Sequence, residues 1–189
     1  METALKKELI EFCRDIIPEA ECIFMDPKEA VFEENVKMKC FYCKKYDRNW
    51  RCPPNIPEFD YRKIFSEFDE GLFVAVKIDT TDKLKFEIIR KDTNLMLHKM
   101  LLDLEKWLRV HNGGIVISYG ADWCNLCKTG CGKEQCNNPS MSRSALESTG
   151  INISKTTEKY GINTRFPVDG KITVVGLVLW QDLTNIMNT

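Results

Sequence analysis

Seven of the nine cysteines fall into two blocks whose spacing suits metal chemistry. The first runs Cys40-x-x-Cys43 and then, after a basic and aromatic stretch, Cys52-Pro53-Pro54. The second runs Cys124-x-x-Cys127-x-x-x-Cys131-x-x-x-x-Cys136. A Cys-x-x-Cys pair lets two sulfurs of one turn reach the same ion or the same edge of a cluster. In the second block four thiols share one short loop, and Gly130 and Gly132 give its backbone the freedom to wrap a cofactor. Zinc sites draw two ligands from each of two separated knuckles, whereas a dense run of thiols, or a Cys-Pro step such as Cys52-Pro53, is the habit of iron–sulfur ligation. The ligand candidates are therefore Cys124, Cys127, Cys131 and Cys136 for one [4Fe–4S] cluster, and Cys40, Cys43 and Cys52 for a second cluster or a brace, with zinc as the alternative metal.

Seven thiols leave a second cluster one ligand short. An iron left open there could take a substrate, which would make the three-cysteine block the place for catalysis. Candidates for the eighth ligand are Cys13, Cys22, His98, His111 and Asp122, none at a diagnostic spacing. Cys13 and Cys22 lie in apolar runs and read more simply as core residues. His98 reads as an ordinary mid-helix imidazole, and His111 as a partner of a helix C-terminus. Lys44, Lys45, Arg48, Arg51, Lys128 and Lys133 interleave the ligands and would offset the charge of an anionic cluster, although basic loops also serve as solvated surface. Tyr42, Tyr46, Trp50 and Trp123 would either shield a cluster or pack on the core. Paired acids such as Asp103 and Glu105 read as a solvated helix face. No nucleotide-binding or hydrolase motif is present.

The elements that must carry these loops follow from periodicity. Residues 4–17 show a helical apolar face, Leu5, Leu9, Phe12, Cys13, Ile16 and Ile17, that stops at Pro18. Ala20 to Met25 reads as a short strand and Leu72 to Ile78 as a buried one. After the Thr80-Thr81-Asp82 cap cluster a long helix carries Leu97, Met100, Leu101, Leu104, Trp107 and Leu108, ending at His111-Asn112-Gly113-Gly114. Ile115 to Tyr119 is a second buried strand, so this strand, helix and strand predict parallel pairing through a crossover, with the second cysteine loop at the strand's carboxyl end. Ser144 to Ser148 and Ile153 to Tyr160 read as short helices, and Ile172 to Trp180 as a last strand. The expected architecture is α/β, with a mixed α+β arrangement possible: one domain over residues 1–189, a small sheet flanked by helices, and two cysteine-rich loops.

Composition narrows the function classes. The chain of 189 residues has a formal net charge of -1, without the basic excess of a phosphate-tracking protein, so nucleic acid is not expected as a partner. Its longest apolar runs fall well short of the roughly 20 residues of a membrane span. The charged N-terminus shows no signal-peptide core, which predicts a cytoplasmic protein whose thiols stay reduced and are free to bind metal.

The paired blocks, Cys40-x-x-Cys43-x-x-Tyr46 leading to Trp50-x-Cys52-Pro53-Pro54 and Cys124-x-Leu126-Cys127-x-x-x-Cys131 leading to Cys136, resemble the predicted metal-binding proteins grouped as domain of unknown function 2284, found mostly in anaerobic bacteria and archaea. Pro139-Ser140-Met141, the stretch Ala145 to Asn152 and the late strand with Gly176-Leu177-Val178-Leu179 extend the likeness over residues 36–180. The resemblance implies metal binding of the iron–sulfur type in a cytoplasmic anaerobe, and no particular reaction. It also leads one to expect small, glycine-like residues ahead of Cys124, where this chain has Asp122 and Trp123. Electron transfer with a redox partner protein is the simplest role; a zinc-stabilised interaction module and an iron–sulfur enzyme with an open iron at the three-cysteine block are the alternatives.

Overall fold

Continuous apolar runs form the two longest strands, and a 30-residue amphipathic segment forms the longest helix. The computed structural model describes residues 3–112, 114–164 and 170–182. Its main elements, in chain order, are α1 (Thr3–Ile16), β1 (Glu21–Met25), α2 (Glu34–Phe41), α3 (Tyr61–Ser66), β2 (Glu70–Asp79), α4 (Lys83–Asn112), β3 (Val116–Tyr119), α5 (Ile153–Glu158) and β4 (Lys171–Trp180). This is the mixed helix-and-sheet class expected. Gly113, read as part of the stop of the long helix, lies outside the described residues.

The sheet corrects the expected strand pairing. Its order is β1-β2-β4-β3, and every neighbouring pair is antiparallel. β2 and β3 do run parallel, but β4 fills the slot between them, so the crossover through α4 is split by a later strand. The sequence misleads here for a physical reason: β2 and β4 are covered on both faces, which produces the same unbroken apolar run as a parallel core strand. Leu72, Val74 and Val76 of β2 and Val174, Val178 and Trp180 of β4 face α1 and α4. Phe73 and Ala75, with Val175, Leu177 and Leu179, face an opposite layer that includes Phe65, Leu146 and Ile151. Gly176 is required where α4 crosses: a Cβ there would lie 2.6 Å from Leu101 Cδ1.

Two helices were not legible in the sequence. α2 buries only Val36, and α3 is six residues long, held by the Asp60 cap on Lys63 N and by buried Tyr61 and Phe65. Such short helices depend on packing rather than on their own periodicity. The segment read as a helix over Ser144 to Ser148 is a four-residue 3-10 turn, Leu146–Thr149, ended by left-handed Gly150 at φ 88°.

α4 starts as expected, with the Asp82 carboxylate accepting from Lys85 N at 3.2 Å. Its acids, however, do not share one solvated face. Asp103 does pair with Lys106 at the surface, but Glu105 is 1% exposed. Arg143 grips Glu105 with Nε at 2.6 Å and Nη2 at 2.7 Å, while Arg109 Nη2 and the backbone and hydroxyl of Ser118 also donate to it. Two turns earlier, buried His98 donates through Nε2 to the Met141 carbonyl at 2.8 Å. α4 thereby holds both β3 and the chain returning from the second cysteine loop.

Burial alone would raise the Glu105 pKa, but the hydrogen bonds from Arg143 and Ser118 and the charges of Arg143 and Arg109 win and hold it below the ordinary glutamate value. A carboxyl depressed in the folded state contributes stability above its unfolded value, near pH 4.3, and loses it as pH falls through the folded value. Glu105→Ala is expected to cost about 3 kcal/mol in urea unfolding near pH 7, because it strands the Arg143 charge. The difference between variant and parent should shrink as the pH is lowered through the folded pKa of Glu105.

Candidate metal centre

The second cysteine loop leaves the carboxyl end of β3, as its sequence position predicts, and its mouth is closed by backbone bonds. Gly120 N donates to Ser144 O and Leu146 N donates to Gly120 O, each at 2.9 Å. Asp122 opens the loop in the left-handed region at φ 55°, with its carboxylate accepting from Arg90 Nη1 at 2.7 Å and Asn94 Nδ2 at 2.8 Å. That backbone conformation is glycine's own and is tolerated by aspartate, which explains how a larger residue stands where a small one was expected. Gly132 is fixed by space: a Cβ would lie 2.3 Å from Gln135 O.

The first loop is a series of tight turns after α2. Cys43 N donates to Cys40 O, Tyr46 N to Cys43 O and Cys52 N to Asn49 O, and Asp47 N closes the loop onto Pro53 O. Side chains then tie it to the second loop. Buried Asn49 donates to Cys124 O at 3.0 Å, and Trp50 Nε1 donates to Gly132 O at 2.8 Å. Arg51 reaches Ser142 Oγ at 2.6 Å and Pro139 O at 2.9 Å, and the Cys136 thiol in turn donates to Ser142 Oγ at 3.5 Å. Trp123 lies under two cations, Lys45 at 4.7 Å and Arg90 at 4.8 Å from its ring centre. Asn49 and Ser142 were not singled out in the sequence; the one available signal was a polar residue wedged between Arg48 and Trp50 just ahead of Cys52.

These ties bring the two blocks together. Cys40 ends α2 half-buried, Cys43 is exposed, and Cys52 is buried; all three line one cavity of about 420 Å³. Cys124, Cys127, Cys131 and Cys136 are half-buried in the second loop. Burial, with the nearby Cys43, Cys40, Cys124 and Cys131 sulfurs acting in the same direction, pushes the Cys52 thiol up to about 12. Cys124 is raised by burial and then, against the lowering effect of the Leu126 N–H, by Cys131, Cys136 and Cys127. Cys52 thus adjoins both blocks. N–H groups also aim at sulfur: Lys45 N at Cys43 Sγ (3.4 Å) and Asn138 Nδ2 at Cys127 Sγ (3.2 Å).

The proposed eighth ligands are engaged elsewhere. His98 is on Met141, His111 donates to the Trp107 carbonyl and stacks on its ring at 3.9 Å, and Asp122 is held by Arg90 and Asn94. Cys13, on the buried face of α1, is fully buried and hydrogen-bonds with Cys22 on β1, in agreement with their reading as core residues. Of the four aromatics offered as shields, Tyr42 points outward at 78% exposed. Trp50 acts as a tether, while Tyr46 and Trp123 border the cavity. Arg51 and Lys45 are used in loop contacts, whereas Lys44, Arg48, Lys128 and Lys133 are at the surface.

Among the described residues no group of three or more Cys, His, Asp or Glu side chains is arranged to hold a metal ion. The donor set nonetheless fits a thiophilic group: seven soft thiols on two interlocked loops, N–H donors at the sulfurs, and a buried Asn125 Nδ2 with no partner beside Cys124. Glu147, which the sequence did not single out, borders the same cavity as Cys40, Cys43 and Cys52. Burial, helped by the Asp122 charge, pushes its carboxyl up to about 7.

Two outcomes are expected in metal-free protein. Among the seven clustered thiols, an alkylating reagent near neutral pH should modify exposed Cys43 first and Cys52 last, as mapped by mass spectrometry, because the thiolate is the reacting form. Since Cys40, Cys52 and Cys124 are all raised, metal uptake near neutral pH should release protons and tighten as pH rises, measurable by uptake in weakly buffered solution. Replacement of Asn138 by Ala removes an N–H from Cys127 and should weaken metal retention about tenfold.

No curated protein matches the chain, and no solved structure matches it. A family model described as predicted metal-binding protein, domain of unknown function 2284, matches residues 24–180, which include both cysteine blocks, the sheet from the end of β1 onward and the tethers between the loops. The chain belongs to this family of predicted metal-binding proteins.

Proposed function

We propose that the protein binds a [4Fe–4S] cluster on Cys124, Cys127, Cys131 and Cys136, with Cys40, Cys43 and Cys52 forming an adjoining site, and that it acts as an electron-transfer module. The observation that carries this reading is the interlock of the loops, in which Asn49, Trp50 and Arg51 hold the first thiol block against the second. Seven crowded thiols exceed what one tetrahedral zinc can use, and N–H groups directed at sulfur are the protein's usual means of tuning a cluster's potential. When bound, the cluster would supply one-electron chemistry; the chain supplies ligands, burial and hydrogen bonds.

A redox partner protein would find a suitable surface beside this site. Met38, Phe41 and Tyr42 are 60%, 61% and 78% exposed beside the exposed thiol Cys43, and Lys39, Lys44 and Arg48 are exposed in the same segment. An apolar centre with a charged rim suits a transient protein contact. Among the described residues no helix is long and apolar enough to cross a membrane.

A zinc-stabilised interaction module is the second reading, favoured by the tight Cys40–Cys43 turn with its N–H donor to Cys43 sulfur, a geometry that also suits a zinc knuckle. Colour separates the two. Protein purified without oxygen should be brown, with broad thiolate-to-iron absorption that bleaches on reduction. Replacing Cys124, Cys127, Cys131 and Cys136 together by Ser should abolish the colour. A colourless protein that carries zinc would overturn the iron–sulfur reading.

A further inference from the structure

The three-cysteine block lacks a fourth donor, and its cavity is lined by Glu147, which has one buried, unpaired carboxylate oxygen. Glu147 sits in the 3-10 turn Leu146–Thr149, packed against α2, whose last turn carries Cys40. It lines the same cavity of about 420 Å³ as Cys40, Cys43 and Cys52 and is close enough for its charge to act on the Cys40 sulfur. Its Oε2 is buried without a hydrogen-bond partner among the described residues.

That state contrasts with the other enclosed carboxylates. Glu105 is paired with Arg143, Asp122 with Arg90, and Glu33 with Lys155. A buried carboxylate oxygen without a donor is costly unless a proton or a cation meets it. The alternatives for the missing ligand are already occupied: His98 by the Met141 carbonyl, His111 by the Trp107 carbonyl, Asp122 by Arg90 and Asn94, and Cys13 by Cys22.

We propose that Glu147 is the non-thiol ligand that joins Cys40, Cys43 and Cys52 to complete a second cluster site in this cavity. The assignment rests on the iron–sulfur reading above. A carboxylate is a harder donor than a thiolate and holds iron less firmly, so the iron bound to Glu147 is the exchangeable corner of the cluster. Val36, Ile151 and Val175 form part of the wall of that cavity.

The test uses the full chain reconstituted with iron and sulfide without oxygen, and compares parent, Glu147→Gln, Glu147→Ala and Glu147→Cys. Gln keeps the size of the side chain and controls for packing. The Gln and Ala variants are expected to lose about one iron per chain at unchanged sulfide content, and to show an electron paramagnetic resonance signal of a three-iron cluster. The Cys variant, with a fourth thiolate, should recover the iron and show a shifted reduction potential. A parent that takes up iron and sulfide, with Gln and Ala variants matching it in iron content and spectrum, would overturn the Glu147 assignment alone. A parent that takes up no iron would overturn the underlying reading together with it.

Discussion

The buried carboxylate of Glu105 is the contact on which the geometry of the thiol site depends. It joins three parts of the chain that must be in register: α4 through its own backbone, β3 through Ser118, and the limb returning from the second loop through Arg143. A charge so enclosed is tolerated only with full hydrogen bonding, and it has this from two arginines, a hydroxyl and a backbone N–H. The site therefore inherits its position from a polar contact within the apolar core. His98 repeats the device two turns away by holding the Met141 carbonyl.

From that fixed frame the loops extend with almost no regular structure of their own. Order comes instead from cross-loop hydrogen bonds and from glycine at one position where the chain nearly touches itself, Gly132. Such loops bury little apolar surface, and their raised thiols disfavour the charged ligand form in the metal-free state. Metal binding and loop order would thus be coupled: a bound metal would have to displace protons, and in doing so would tie together segments far apart in sequence.

Much of this was legible in the residues. α1, β1, β2, α4, β3 and β4 followed from periodicity and stop signals, and the two cysteine blocks were evident from spacing. The order of the strands was not, because residues covered on both faces look alike whether their neighbours run parallel or antiparallel. Glu105 was misread as a solvated acid like Asp103; its partners Ser118 and Arg143 lie in other elements, and no local pattern shows them. Asn49 and Glu147 were missed for the same reason: an amide that ties two loops and an acid that borders a cavity take their meaning from residues about 75 and 107 positions away.

The odd number of thiols, first a sign of an incomplete ligand set, now has a place in the fold: a four-thiol loop and a three-thiol loop that meet around Cys52, with a cavity beside the smaller set. The central claim, that these loops hold iron and sulfide, is tested most directly by measuring iron, acid-labile sulfide and zinc per chain in protein purified without oxygen. The account predicts about four or about eight irons with matching sulfide. Stoichiometric zinc with no sulfide would contradict it.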